Sequence, residues 1–343
     1  MADLDRKLPT PSIGGLAGTL FLAPWTLLMR LLEPPMAGLQ RLLGLKGMPY
    51  LFLIPNLLFF GTFVFVPLII NFGFSVTGGS QLFLSQRPYV GDAHYAYLFD
   101  CGDYLDVSSC RADTFWRGVY NTALFVVLQV GFLVGFSLVT ALVLNKAIPF
   151  RGFFRSVFFY PVLLSPVVVA LIWKWILQRD GLLNAIITGF GGERILFFID
   201  PDWAMFWSVF VSIWAHLGFY TLILLAGLQA IPKDLYEAAD MDGTSRPRVL
   251  WRITLPLLWP NMIVVIVLAL IRAVQIFDEV FVLTGGGPGT ATQFLVQYIY
   301  SNGFASSVQN FGLAAAASVL LGSVLLVLTL LQLYAAQRRE ARK

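Results

Sequence analysis

Charge is scarce in this chain. Of its 343 residues only 12% are charged, while 58% are hydrophobic; soluble domains average about 25% charged. Histidine and cysteine are scarcer still, at two residues each. No spacing among them makes a metal site, no nucleophile sits beside a base, and no cofactor fingerprint is present. A non-catalytic chain that binds no metal and no cofactor is the expectation. A phosphate loop is missing as well. "LTGGGPGT", Leu283 to Thr290, is rich in glycine but lacks the lysine a Walker A loop requires. Any energy source other than an ion gradient must therefore come from another subunit. The two cysteines, Cys101 and Cys110, share one polar loop. There they could close a disulfide or stand as free thiols.

What the chain does have is long apolar runs. Six reach the roughly 20 residues a helix needs to cross a bilayer: Pro49–Ser75, Val119–Leu144, Phe153–Trp175, Ala204–Ala230, Pro260–Leu283 and Phe311–Tyr334. None alternates as a barrel strand would. The fold class expected is an all-α polytopic membrane protein of six core spans, because in lipid a spanning backbone must satisfy its own hydrogen bonds. With both termini placed in the cytoplasm, sixteen lysines and arginines fall inside and five outside. This positive-inside bias accounts for the net charge of +4 without a nucleic-acid partner. A bacterial-type plasma (inner) membrane in contact with lipid is the expected location.

Three regions are expected: a cytoplasmic or interfacial segment 1–47, a transmembrane domain 48–336 with a polar loop at 231–258, and a basic tail 337–343. Ile13–Leu32 reads as a helix lying at the interface, with a seventh span as the alternative. It does not read as a cleaved signal, since Arg41 and Lys46 follow it. In the third run Pro161 and Pro166 flank Ser165, a pattern that marks either a neighbouring cavity or, as often, a packing kink. Trp173-Lys174-Trp175 reads as an aromatic belt with a snorkelling lysine.

The polar loop contains "EAADMDGTSRPRVLWRITLP", Glu237 to Pro256. Asp234 reads as an N-cap with Glu237 three residues on, which predicts a short helix from about Leu235 to Asp242. Gly243 suits a left-handed stop, and Pro247 suits the first turn of a second helix. The fixed positions Glu237, Ala238, Ala239, Gly243, Ile253, Leu255 and Pro256 resemble the signature loop of binding-protein-dependent ABC import permeases. "FDEVFVLTGGGPGTAT", Phe277 to Thr292, and "FGLAAAASVLL" further resemble the MalF-type carbohydrate permeases of that group, a similarity covering nearly all of Tyr50–Tyr334. The resemblance implies a coupling helix that docks into a separate ATPase. It implies two MalK-type ATPase subunits holding ATP and Mg, a MalG-type second permease, and an extracytoplasmic binding protein delivering a sugar or polyol. It also implies sugar-contacting positions near Ser165, around Trp214, His216, Leu217 and Gly218, and within Leu270–Gln275.

Charges within a span are functional candidates. Arg272 stands near the middle of the fifth run, and helical spacing places Gln275 and Glu279 on its face. Arg272 and Glu279 would lie about 10 Å apart along the axis, too far for a direct ion pair but suited to two ends of a hydrated passage. Asp278 neighbours them, with an interhelical role open beside substrate contact. Arg272 also leaves room for an anionic cargo of the glycerophosphate type. An ion-coupled secondary transporter would need coupling acids, for which only Asp278 and Glu279 qualify.

Overall fold

The computed structural model describes residues 38, 40, 44 and 47–340. The expectations for Ile13–Leu32 lie outside these residues. The chain forms two compact units, Met1–Ile70 and Asn71–Lys343. Among the described residues the secondary structure is helical apart from two isolated bridges, Thr77 to Tyr89 and Cys101 to Cys110.

Helix α1 (Gly47–Ser75) is followed by a long loop that carries the short α2 (Ala93–Phe99), and then by α3 (Asp113–Asn145). Next come α4 (Arg151–Phe159), α5 (Pro166–Leu177), α6 (Leu182–Gly189) and α7 (Pro201–Gln229). Beyond the polar loop α9 (Arg246–Val274) is preceded by α8 (Lys233–Met241) and followed by α10 (Asp278–Leu283), α11 (Leu295–Tyr300) and α12 (Phe311–Glu340). Helices α1, α3, α7, α9 and α12 are each long and apolar enough to span a membrane.

The third expected span is not one helix. Arg151–Leu163 and Pro166–Gly189 meet at 102°. Pro161 enters a tight 3-10 turn, Tyr160–Leu163, and Ser165 is the extended N-cap of α5 with Pro166 at its first position. Pro161 and Pro166 have no N–H to donate, so the helical ladder fails at both points. The fifth span also differs from expectation. Its helix begins at Arg246 rather than Pro260, and it stops at Val274, because Gln275–Phe277 leave helical geometry before α10 resumes. Pro260 is tolerated within it.

Hydrophobicity cannot select the inward face of a membrane helix, since lipid is as apolar as a protein core. Small and polar residues select it instead. On α3 the buried positions are Phe115, Gly118, Thr122, Phe125, Gln129, Leu133, Ser137, Ala141 and Leu144. They recur every three or four residues and form one stripe. Val127, Phe132, Phe136 and Val139 on the other faces remain exposed. The stripe packs on α7, the most enclosed of the spans. Helix α12 turns Ala314 to Ala317 inward, where their size permits close approach.

Lys174 does not snorkel. Its ammonium donates to the Val282 carbonyl at 2.9 Å, tying α5 to the C-terminal end of α10, where a cation is favoured by the helix dipole. In the long loop Cys101 and Cys110 are disulfide-bonded.

Candidate functional site: a coupling loop and an intramembrane cavity

Two assemblies carry the functional residues. The first is the polar loop. Helix α8 starts two residues earlier than expected: Pro232 is its N-cap, and no side-chain capping bond forms. Asp234 therefore lies in the first turn, where its charge favours the helix N-terminus without capping it. At the other end Gly243 adopts φ +63°. Thr244 N–H reaches back to the Ala239 carbonyl at 2.9 Å and Gly243 N–H to that of Asp240 at 3.1 Å. These bonds satisfy carbonyls the helix end leaves free. Glu237, Ala238 and Asp242 are exposed and Met241 is 89% exposed, whereas Ala239 is buried. Ile253 and Thr254 belong to a π turn, Leu250–Thr254, and Leu255 and Pro256 follow it on α9. Tyr236 hydroxyl pairs with Thr254 hydroxyl at 3.2 Å, linking α8 to α9.

The second assembly is a cavity of about 360 Å³ beside the α4–α5 kink, lined by His216, Phe219 and Tyr220 of α7 together with Arg272, Glu279 and Pro166. A smaller cavity of about 190 Å³ at the α9–α10 break shares Arg272 and Glu279 and adds Gln275 and Asp278. Among the described residues no ion pair within 4.0 Å joins Arg272 to either acid. The non-helical link Gln275–Phe277 lines the smaller cavity, in keeping with the rule that irregular backbone in a span is tolerated only where it lines a cavity or is buried in protein.

A polar chain supports the cavity from behind. Gln129 Nε2 donates to Ser212 Oγ at 3.2 Å, and Ser212 Oγ donates to Glu279 Oε1 at 3.3 Å. All three are at least 97% buried. His216 Nδ1 lies 2.7 Å from the Ser212 carbonyl. A carbonyl only accepts, so Nδ1 carries the hydrogen and Nε2 of the neutral ring is an acceptor. The walls thus offer guanidinium donors, carboxylate oxygens and an imidazole acceptor, a set that complements hydroxyl groups.

The other residues expected around the passage are placed elsewhere. Trp214 packs edge-on against Trp173, with ring centroids 5.5 Å apart, and does not line either cavity. Leu217 packs against the α3–α7 core. Gly218 lies against the backbone of Phe158 and Phe159. Ser165 sits in the kink between the cavity-lining Leu164 and Pro166. Glu279 was legible as a neighbour of Arg272. Gln129 and Ser212 were missed, although lone polar residues in apolar spans are the signal that could have found them.

A model of the family described as "binding-protein-dependent transport system inner membrane component" matches residues 130–341. The chain belongs to this family. The permease is therefore a multi-pass membrane subunit of a transport system. It is 32% identical over 293 residues to a probable ABC transporter permease protein, YurN, of Bacillus subtilis, an alignment covering 84% of this chain and 95% of that one. It is 34% identical over 287 residues to the trehalose/maltose transport system permease protein MalF of Thermococcus litoralis, covering 83% and 92%. Its fold superposes with a TM-score of 0.73 on a bacterial ABC transporter involved in the import of the acidic polysaccharide alginate, at 25% identity, covering 85% of this chain and 95% of that one.

Proposed function

We propose that the permease is one of two transmembrane subunits of an ATP-driven importer, passing a sugar or polyol delivered by an extracytoplasmic binding protein. ATP and Mg are bound by two MalK-type ATPase subunits, and a MalG-type permease completes the pathway. The permease itself carries out no covalent chemistry. Both termini and the α8 loop face the cytoplasm, which places the disulfide-bonded loop outside.

One observation carries the reading. Helix α9 runs for 29 residues from Arg246, beside α8, to Val274, two residues past the Arg272 that lines the cavity. That is about 43 Å of helix at 1.5 Å per residue. A shift of α8, passed on through the Tyr236–Thr254 bond and the π turn, therefore reaches the cavity wall along a single rigid element. The sugar relative from Thermococcus and the hydroxyl-complementing walls support the cargo. An anionic cargo is a second reading, favoured by Arg272 in the cavity. An ion-coupled transporter leaves the helix–glycine–helix loop without a role.

The test is affinity extraction of a C-terminally tagged permease from native membranes in mild detergent, followed by reconstitution. A second permease and an ATPase are expected to co-purify, and solute uptake is expected to require ATP. A lone chain that transports without ATP would refute the reading.

Gly243 supplies a finer test. A Cβ there meets nothing within 4 Å, and only the positive φ opposes it. Gly243→Ala is therefore expected to cost about 1 kcal/mol locally, leaving the complex assembled while uptake per ATP hydrolysed falls. Unchanged stoichiometry in Gly243→Ala would show that this cap does not matter for coupling.

A further inference from the structure

We propose that Glu279 sets the charge selectivity of the passage: the wall contributed by this chain admits neutral or cationic polyhydroxylated solutes and disfavours anionic ones. The inference rests on the two cavities being part of the solute path, and it decides between the two cargoes left open above.

Arg272, taken alone, points to an anion. The two cavities, however, share not only Arg272 but also Glu279, and the smaller one adds Asp278. The charged side chains facing this space thus carry one positive and two negative charges. His216 is held with one ring nitrogen on the Ser212 carbonyl. Glu279 is the less accessible acid, 3% exposed, so solvent screens its charge least. Ser212, oriented by Gln129, donates to one carboxylate oxygen and fixes the group in place. Neither acid is neutralised by Arg272 through a pair within 4.0 Å among the described residues. An anion entering beside Arg272 therefore meets a fixed carboxylate on the same wall, in a setting of low dielectric where like charges repel strongly. A neutral polyol meets donors and acceptors together, and each of its hydroxyls can use both.

The cysteine chemistry of the chain makes this measurable without knowing the solute. Both cysteines in the sequence are held in the Cys101–Cys110 disulfide, so one introduced cysteine is the permease's one free thiol. Phe219 is 42% exposed and lines the larger cavity. In the intact complex, Phe219→Cys is labelled with methanethiosulfonates bearing either a trimethylammonium or a sulfonate group, and the rate on this chain is read by mass. The ratio of the two rates cancels any change in the reactivity of the thiol itself. We expect the cationic reagent to react faster, and Glu279→Gln to lower the cation-to-anion ratio roughly tenfold. Arg272→Gln is expected to raise it, which provides a second reading if the Glu279 variant fails to assemble. A ratio unmoved by either substitution, or one that rises in Glu279→Gln, would overturn the proposal while leaving the passage intact. A cysteine that neither reagent reaches at any stage of the ATP cycle would instead remove the passage itself, and the proposal with it.

Discussion

Gly218→Ala is expected to abolish recovery of the assembled permease. A Cβ at this position would stand 2.8 Å from the Phe159 Cα and 2.9 Å from the Phe158 carbonyl carbon. Real Cβ atoms do not approach backbone so closely, and backbone cannot rotate away as the tip of a side chain can. The obstructing segment is itself constrained, because Phe158 and Phe159 lead into the 3-10 turn in which Pro161 is buried. Relief therefore requires α7 and the α4–α5 kink to separate. Overpacking typically costs 1–3 kcal/mol, occasionally more; with rigid atoms on both sides about 3 kcal/mol or more is expected, a large share of a marginal stability. Gly131→Ala and Gly135→Ala on α3 meet nothing within 4 Å and serve as controls. The measurement is yield and thermal midpoint of the detergent-extracted complex. Gly218→Ala protein of normal yield and midpoint but altered solute preference would return Gly218 to the solute-contacting role that the family resemblance implies.

The second large effect is expected at Arg87, in the long loop. Its side chain is buried, 7% exposed, and its Nε, Nη1 and Nη2 donate to Thr77 Oγ1, the Gln81 carbonyl and the Thr77 carbonyl at 3.1, 2.8 and 3.1 Å. The guanidinium also lies 4.9 Å from the centre of the Phe74 ring. Burial lowers the Arg87 pKa from its ordinary value, yet a guanidinium stays charged at any relevant pH. Hydrogen bonds to charged groups contribute roughly 1.5–3 kcal/mol each. Arg87→Ala deletes three and leaves the Gln81 carbonyl without its donor, so a loss of about 3 kcal/mol or more is expected, confined to this loop. His94 still donates to the Thr77 carbonyl at 3.0 Å, and the disulfide remains, so the loop should open near residues 78–92 rather than throughout. Limited proteolysis of Arg87→Ala in membranes should cut there at least tenfold faster than in the parent. Arg87→Lys should recover only part of the protection, because an ammonium lacks the planar fork. Equal protection in Arg87→Ala would show that the loop is held by other means.

Much of this was legible in the sequence, and the failures share a physical cause. Five of the spans could be read from hydropathy because a bilayer imposes their length. The stop at Gly243 could be read because few residues other than glycine take a positive φ cheaply. The bend at Leu164–Ser165 was half legible: the prolines marked a kink, but its 102° angle depends on what packs against it. The early end of α9 was not visible, since Arg272 to Phe277 contains no glycine or proline. The link that follows, Gln275–Phe277, lines the smaller cavity, a tertiary setting that local propensity does not encode. Trp214 and Lys174 were misplaced for a related reason. A side chain in a span can face lipid, interface or protein, and only neighbouring helices decide. Trp173 and Val282, distant in sequence, fix the two side chains.

The most direct measurement is a photo-crosslink from the exposed tip of α8. A benzophenone amino acid at Met241, which is 89% exposed, is compared in native membranes with one at Leu105, which is equally exposed in the disulfide-bonded loop. The prediction is that position 241 captures an ATPase subunit, that the yield changes when ATP is added, and that position 105 captures none. An ATPase captured from position 105, or none from position 241 in a complex that still hydrolyses ATP, would contradict the assignment of α8 as the coupling helix.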